Sequence, residues 1–268
     1  MKILVLVKYS LDVAEIRVEP STHALRMTGV PERFGDLDKG ALQAAVELAQ
    51  TCDATVEVLC FGPPAARAAL KDLLAIGADE ATVVDDPYGG AADGAVVARV
   101  LEAAIEKRGP FDLIICGFAS DDGYSHQTGP RLAERLGLPL VSYACRIGLD
   151  DGVLVAERDL EEGLESVSVR LPAIVSVAEE AFVARPVTLL QAMKAQKKPT
   201  NTWEMQADLG LDKDALTQSA SRSSVLTTEG IVVERQGRVL KAMELSEMAD
   251  RLIDWLVAEQ VLVQQGGA

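Results

Sequence analysis

A chain of 268 residues is longer than one average domain, so one large domain with an appended arm or two small domains fit it, and at 49% hydrophobic residues it can bury a sizeable core. Its formal net charge of −15 opposes phosphate backbones and anionic lipid headgroups, which argues against nucleic acid as a partner. No stretch approaches the roughly 20 apolar residues of a membrane span, and Met1-Lys2 leads straight into a strand-like run without a cleavable signal pattern, so a soluble, cytoplasmic protein is expected.

From residue 2 to about residue 145, short Val, Ile and Leu runs alternate with alanine-rich helical stretches. That is the rhythm of strands buried on both faces and joined by crossover helices. Residues 2–8 open the sheet; 38–50 read as a helix and 54–60 as a strand. Gly62-Pro63-Pro64 then starts a second helix that stops at Gly77. The next strand is 81–84 and the next helix 93–107, ended by Gly109-Pro110; a strand over 111–116 and a helix over 129–136, closed by Gly137, follow. The pattern predicts an α/β fold on a doubly wound parallel sheet.

Beyond residue 145 the apolar period becomes two, in 153–158, 165–171 and 173–177, which predicts antiparallel edge strands. Residues 200–236 are polar, rich in Thr, Ser and Asp and poor in aromatic side chains, and read as an extended arm. Leu245, Met248, Ala249, Leu252, Ile253, Leu256 and Val257 share one stripe of a helix over 246–261. This stripe has to dock, either on its own domain or on a second chain. The expected division is a nucleotide-binding α/β domain at 1–199 and an arm with its terminal helix at 200–268.

The cysteines Cys52, Cys60, Cys116 and Cys145 lie far apart, without C-x-x-C spacing, and the histidines are His23 and His126. Neither a disulfide framework nor a metal site is readable, and the cysteines are expected to be small buried hydrophobes. The informative segment follows the strand ending at Cys116: Gly117-Phe118-Ala119-Ser120-Asp121-Asp122-Gly123-Tyr124-Ser125-His126-Gln127-Thr128-Gly129-Pro130. A Gly-, Ser- and Asp-rich loop at the carboxyl end of a parallel strand is where such sheets bind ligands. Ser125, Gln127 and Thr128 offer polar groups, and backbone amides around Thr128 and Gly129 can hold a phosphate at a helix start. An ordinary loop with an N-cap is the plain alternative. Neither G-x-G-x-x-G nor a P-loop lysine is present.

This loop resembles the adenine-nucleotide loop of electron transfer flavoprotein beta subunits. The resemblance extends through residues 156–176, Ala-Glu-Arg-Asp-Leu-Glu-Glu-Gly-Leu-Glu-Ser-Val-Ser-Val-Arg-Leu-Pro-Ala-Ile-Val-Ser, where Glu162 stands in place of the usual Gly or Asp. Gly62-Pro63, Ala75-Ile76-Gly77-Ala78-Asp79, residues 188–199 and Asp208-Leu209-Gly210 fit the same family, and the likeness covers residues 1–262. It implies the adenine nucleotide alpha hydrolase-like form of the fold. An adenylate is then expected against Leu6, the turn Gly35-Asp36-Leu37-Asp38, Phe61 and the whole loop from Gly117 to Thr128. That turn departs from the Asn-Pro-aromatic start usual in the family.

The resemblance further implies a heterodimer with an alpha subunit that holds most of an FAD, and transient contacts with dehydrogenases and a quinone oxidoreductase. Leu189 would dock dehydrogenases from a loop near residues 184–198, with Arg185 before it and Lys194, Lys197 and Lys198 after; the plain alternative is a surface helix with solvated lysines. Electron-bifurcating members, which oxidise NADH, hold a second FAD where others hold AMP, and carry threonines where this chain has Gly94 and Val97 in the run from Ala91 to Val97. AMP is the expected ligand, with a second FAD the alternative. A nucleotide-binding sensor of related fold is the rival from another class. Lys8 and Arg158 can face either ligand or partner, and no residue is expected to act as a catalytic group because the flavin carries the electrons.

Overall fold

The computed structural model describes residues 1–90, 92–214, 216, 223, 225–232, 237–241 and 244–262. Aliphatic runs dictate the first half. They form β1 (Lys2–Val7), then four short strands, β2 (Tyr9–Leu11), β3 (Arg17–Val18), β4 (Leu25–Arg26) and β5 (Glu32–Phe34), which sequence reading did not foresee. Next come α1 (Asp36–Cys52), β6 (Thr55–Gly62), α2 (Ala66–Ile76), β7 (Glu80–Asp85), α3 (Gly94–Arg108), β8 (Leu113–Gly117) and α4 (Thr128–Leu136). Gly137, at φ 63°, takes the left-handed position that ends α4.

The second half contains β9 (Leu140–Asp150), β10 (Val153–Leu160), β11 (Gly163–Arg170), β12 (Ala173–Val177), α5 (Leu189–Ala195), β13 (Thr200–Trp203) and α6 (Met205–Leu209). Nine strands make one sheet in the order β11-β10-β9-β12-β8-β1-β6-β7-β13. Pairing is parallel from β9 to β13 and antiparallel at β9-β10 and β10-β11.

Alternation along β1 shows why both faces are covered. Ile3, Val5 and Val7 pack with α1 and α2, whereas Leu4 and Leu6 pack with α3 and α4. Each such buried side chain contributes about 1.5–3 kcal/mol of transfer free energy. The register sets Leu6 opposite Leu59 on β6 and Cys116 on β8, and Cys116 opposite Ser176 on β12. The carboxyl ends of these strands therefore open at one level, and ligand-binding loops of such sheets gather there.

Three expectations need correction. Residues 173–177 are not an antiparallel edge strand: β12 lies inside the sheet, parallel to β8 and β9, with all five residues buried. Ser176 made the run look alternating, but its hydroxyl is buried and accepts from the Tyr143 amide at 3.2 Å. The strand β9 was not expected at all; it runs parallel to β12 through Ala144 and then leaves to pair antiparallel with β10. The arm, finally, does not begin at Thr200, because β13 extends the sheet parallel to β7 and Met205 of α6 is buried. Arm residues 217–222 and 233–236 lie outside the described residues, as do 263–268.

The C-terminal helix spans Leu245–Ala258, shorter than expected, and none of its residues is buried. Its apolar stripe stays open, with Leu245 79% exposed and Leu252 and Ile253 about half exposed. Among the described residues, no helix is long and apolar enough to cross a membrane.

Candidate nucleotide cleft and docking helix

The cleft forms where β1, β6 and β8 end. Leu6, Val7, Lys8, Phe61 and Cys116 make its base, and Gly117, Phe118, Ala119, Ser120, Ser125, His126, Gln127 and Thr128 one wall. Asp38, Gly94, Val97 and Leu101 complete it, with about 740 Å³ of empty space counting the mouth. The sequence-derived residues Gly35, Asp36, Leu37, Asp121, Asp122, Gly123 and Tyr124 do not line this space. Asp36 and Leu37 face a neighbouring groove between α1, α2 and α5.

Asp121 and Asp122 shape the cleft from behind. The Asp121 carboxylate accepts from the amides of Asp36 at 2.9 Å and Leu37 at 3.5 Å, capping α1 from 85 residues away and starting that helix two residues before the sequence pattern did. A Cβ at Gly35 would lie 2.7 Å from Asp121 Oδ2, so any larger residue there has to displace the capping carboxylate. Lys8 Nζ donates to both oxygens of Asp122 at 2.8 Å. Burial works to raise the Asp122 carboxyl, but Lys8 together with Ser120 and the Gly123 amide holds it below the ordinary carboxylate value. Asp38 is different: burial, reinforced by the charges of Asp121 and Asp122, lifts it well above that value despite the Lys8 amide and charge.

Tyr124, His126 and Tyr143 all adopt positive φ, at 43°, 56° and 63°. Such backbone costs on the order of 1–3 kcal/mol per residue and needs support from its surroundings. Here Phe118 packs against all three rings with centroids 5.0 to 5.3 Å away, and the Tyr124 hydroxyl donates to Glu179 at 2.8 Å.

The first turn of α4 faces the cleft without a side-chain cap. By contrast, α3 receives the Asp93 carboxylate on the amides of Ala95 and Val96, each at 3.0 Å. Gln127 cannot cap α4 through its oxygen, which accepts from Arg131 Nε at 2.8 Å. A Cβ at Gly94 would lie 2.7 Å from that oxygen and 3.3 Å from Arg131 Nε, so only glycine leaves the pair in place. Donors at a helix start, beside a slot lined by both apolar and polar side chains, suit a phosphate carried on a flat, partly apolar nucleoside. Ala91, the first residue of the run holding Gly94 and Val97, lies outside the described residues.

Cys60 and Cys116 are buried, and burial pushes both thiols up to about 12, so they are inert walls. Among the described residues no three His, Cys, Asp or Glu side chains gather as metal ligands would. Arg158 faces its own strands: it donates to the Ser142 carbonyl at 2.7 Å, the Ser142 hydroxyl at 3.0 Å and Glu165 at 2.6 Å, next to a bulge in the β9-β10 pairing.

On the α1/α2 side, Thr188 and Gln191 form a capping box that starts α5. Leu189 is 79% exposed, and Leu190 and Met193 stand open beside it. Arg185 pairs with Glu47 at 3.0 Å, and Lys194 is exposed. Lys198, expected in the charged ring, turns inward instead and donates to the carbonyls of Leu74 at 3.1 Å and Ala78 at 2.5 Å. Reciprocally, Lys71 of α2 donates to the carbonyls of Ala195, Gln196 and Lys198 at 3.4, 3.3 and 3.0 Å. Sequence reasoning missed Leu190, Met193 and this lysine exchange; only the apolar spacing 189, 190, 193 signalled the first two.

Residues 23–208 match the family described as Electron transfer flavoprotein domain. The electron transfer flavoprotein subunit beta of Thermoanaerobacterium thermosaccharolyticum is 33% identical over 98% of this chain and all of its own length. The caffeyl-CoA reductase-Etf complex subunit CarD of Acetobacterium woodii is 30% identical over 98% of this chain and all of its own. Protein FixA of Azorhizobium caulinodans is 31% identical over 79% of this chain and 78% of its own. The chain belongs to the electron transfer flavoprotein beta-subunit family.

Proposed function

We propose that this chain is the adenylate-holding beta subunit of a heterodimeric electron transfer flavoprotein, passing electrons from dehydrogenases through an FAD held mainly by the alpha subunit. The observation that carries the adenylate assignment is the uncapped start of α4 at the rim of a slot floored by Leu6 and Phe61. Amides of that turn would hold the phosphate, with Ser125 and Thr128 beside them, while Phe118 and Val97 flank the nucleoside. The FAD, when bound, supplies the redox chemistry; this chain supplies position and electrostatics. Leu189, Leu190 and Met193 form the apolar anchor that meets dehydrogenases, with Arg185 and Lys194 at its margin. A sensor of related fold would need neither this anchor nor the open C-terminal stripe.

AMP fits better than a second FAD, since Gly94 and Val97 put no hydroxyl donors for a longer phosphate chain on the α3 wall of the cleft. The second reading, a flavin in this cleft, draws on the likeness to the caffeyl-CoA reductase-Etf subunit. Denaturing the purified heterodimer and identifying the released small molecules separates the readings. One FAD with one AMP per dimer is expected, two FAD without AMP establishes the second reading, and one FAD with neither AMP nor a second FAD overturns both. In the same complex, Leu189→Glu is expected to lower kcat/KM with a dehydrogenase donor by about tenfold or more, with FAD content unchanged. An unaltered rate would remove the anchor assignment.

A further inference from the structure

Among the described residues, Asp38 has no counter-ion of its own. It sits in the first turn of α1, 5% exposed, and lines the cleft. The positive end of α1 would ordinarily help an ionised carboxylate there. That help is already taken, because Asp121 accepts from the amides of Asp36 and Leu37. Lys8, the nearest cation, is held by both oxygens of Asp122. Near Asp38 lie the thiols of Cys60 on β6 and Cys116 on β8, which burial keeps neutral, and His126 lines the same cleft from the loop after β8. Three carboxyl groups therefore share one lysine and one helix end, and the buried one has only the Lys8 amide and a share of the Lys8 charge. Like charges at such a site cannot all ionise cheaply.

We propose that Asp38 reads the bound nucleoside as a hydrogen-bond donor, with its carboxyl group un-ionised, and so selects a base presenting an unprotonated ring nitrogen, as adenine does. This rests on the nucleotide reading of the cleft. A carboxylate offers only acceptors and would repel a ring-nitrogen lone pair, whereas the acid form donates one hydrogen bond to it. The sign of the pH effect follows. Affinity is full while Asp38 keeps its proton and falls as pH rises through its elevated folded-state value, opposite to the gain an ionising phosphate would give at a helix start.

The test is titration of the full-length chain, freed of bound nucleotide, with adenosine, which has no phosphate to ionise, and with AMP. Adenosine affinity is expected to fall about tenfold or more as pH is raised from the ordinary carboxylate range into the alkaline range. Asp38→Asn, which donates through its amide and cannot ionise, is expected to bind across that range with no more than about a twofold change, and Asp38→Leu to bind weakly throughout. The infrared carbonyl band of a protonated carboxyl persisting above the ordinary carboxylate range, present in the parent and lost in Asp38→Asn, checks the same assignment without a ligand. Adenosine binding that is independent of pH, or an Asp38→Asn variant that loses affinity in parallel with the parent, overturns the inference and leaves the nucleotide reading standing. Failure of both ligands to bind at any pH overturns the two together.

Discussion

Deleting residues 245–268 is expected to abolish co-purification with the alpha subunit while leaving the nine-stranded sheet folded. No residue of the C-terminal helix is buried in its own chain, and none belongs to the two hydrophobic cores that flank the sheet, so its removal takes no side chain from them. Its stripe of Leu245, Leu252 and Ile253 is open and contiguous at helical spacing. Covering three such side chains contributes several kcal/mol, and losing even about 4 kcal/mol weakens association on the order of a thousandfold. Gel filtration of the co-expressed pair and circular dichroism of the truncated chain read the two halves of this expectation. The double substitution Leu252→Asp with Ile253→Asp in the full-length chain should reproduce it. A truncated chain that still elutes as the heterodimer at dilute concentration would place the principal contact elsewhere.

The second large effect is expected at Asp121, a residue outside the cleft. Asp121→Ala removes the carboxylate that caps α1 and leaves two amides without their partner. Caps of this kind are worth about 0.5–2 kcal/mol, so the urea midpoint should fall. The first turn of α1 also carries Asp38, and fraying it releases that wall of the cleft. Adenosine affinity should therefore drop by about tenfold, more than the stability loss alone would produce in a chain that remains folded under the assay. Asp121→Asn, which keeps one acceptor oxygen, should recover part of both losses. Unchanged nucleotide affinity in Asp121→Ala would show that the turn at Gly35 holds its shape without the cap.

How far the chain could be read in advance depends on whether a signal was local. Each crossover of the parallel half announced itself, because a strand buried on both faces needs an unbroken aliphatic run and its helix needs an alanine-rich face. Gly77 and Gly137 marked helix ends through backbone geometry alone. β12 was misplaced since its alternation came from a buried serine, and a serine that accepts from a neighbouring strand looks like an exposed one in sequence. β13 is short and polar, and it becomes a strand only because β7 presents an unpaired edge. In the cleft, the loop 117–128 was legible from its glycines and its place after β8. Asp121 and Asp122 also lie in that loop, but sequence could not reveal the partners that the structure gives them, Asp36 and Lys8, which are 85 and 114 residues away. Lys198 looked like one of several surface lysines, and nothing nearby in sequence could reveal that its acceptors belong to α2.

That lysine exchange bears on how the segment proposed to dock dehydrogenases can be moved between proteins. Lys71 and Lys198 each satisfy carbonyls on the other's element, so α2 and the stretch from Ala195 to Lys198 behave as one unit. A graft of residues 188–198 onto a foreign scaffold would arrive with carbonyls stripped of their donor and a lysine stripped of its acceptors. Transplanting the specificity of this surface requires residues 66–78 to travel with it, and chimeras joined between the two should be sought only where both come from the same parent.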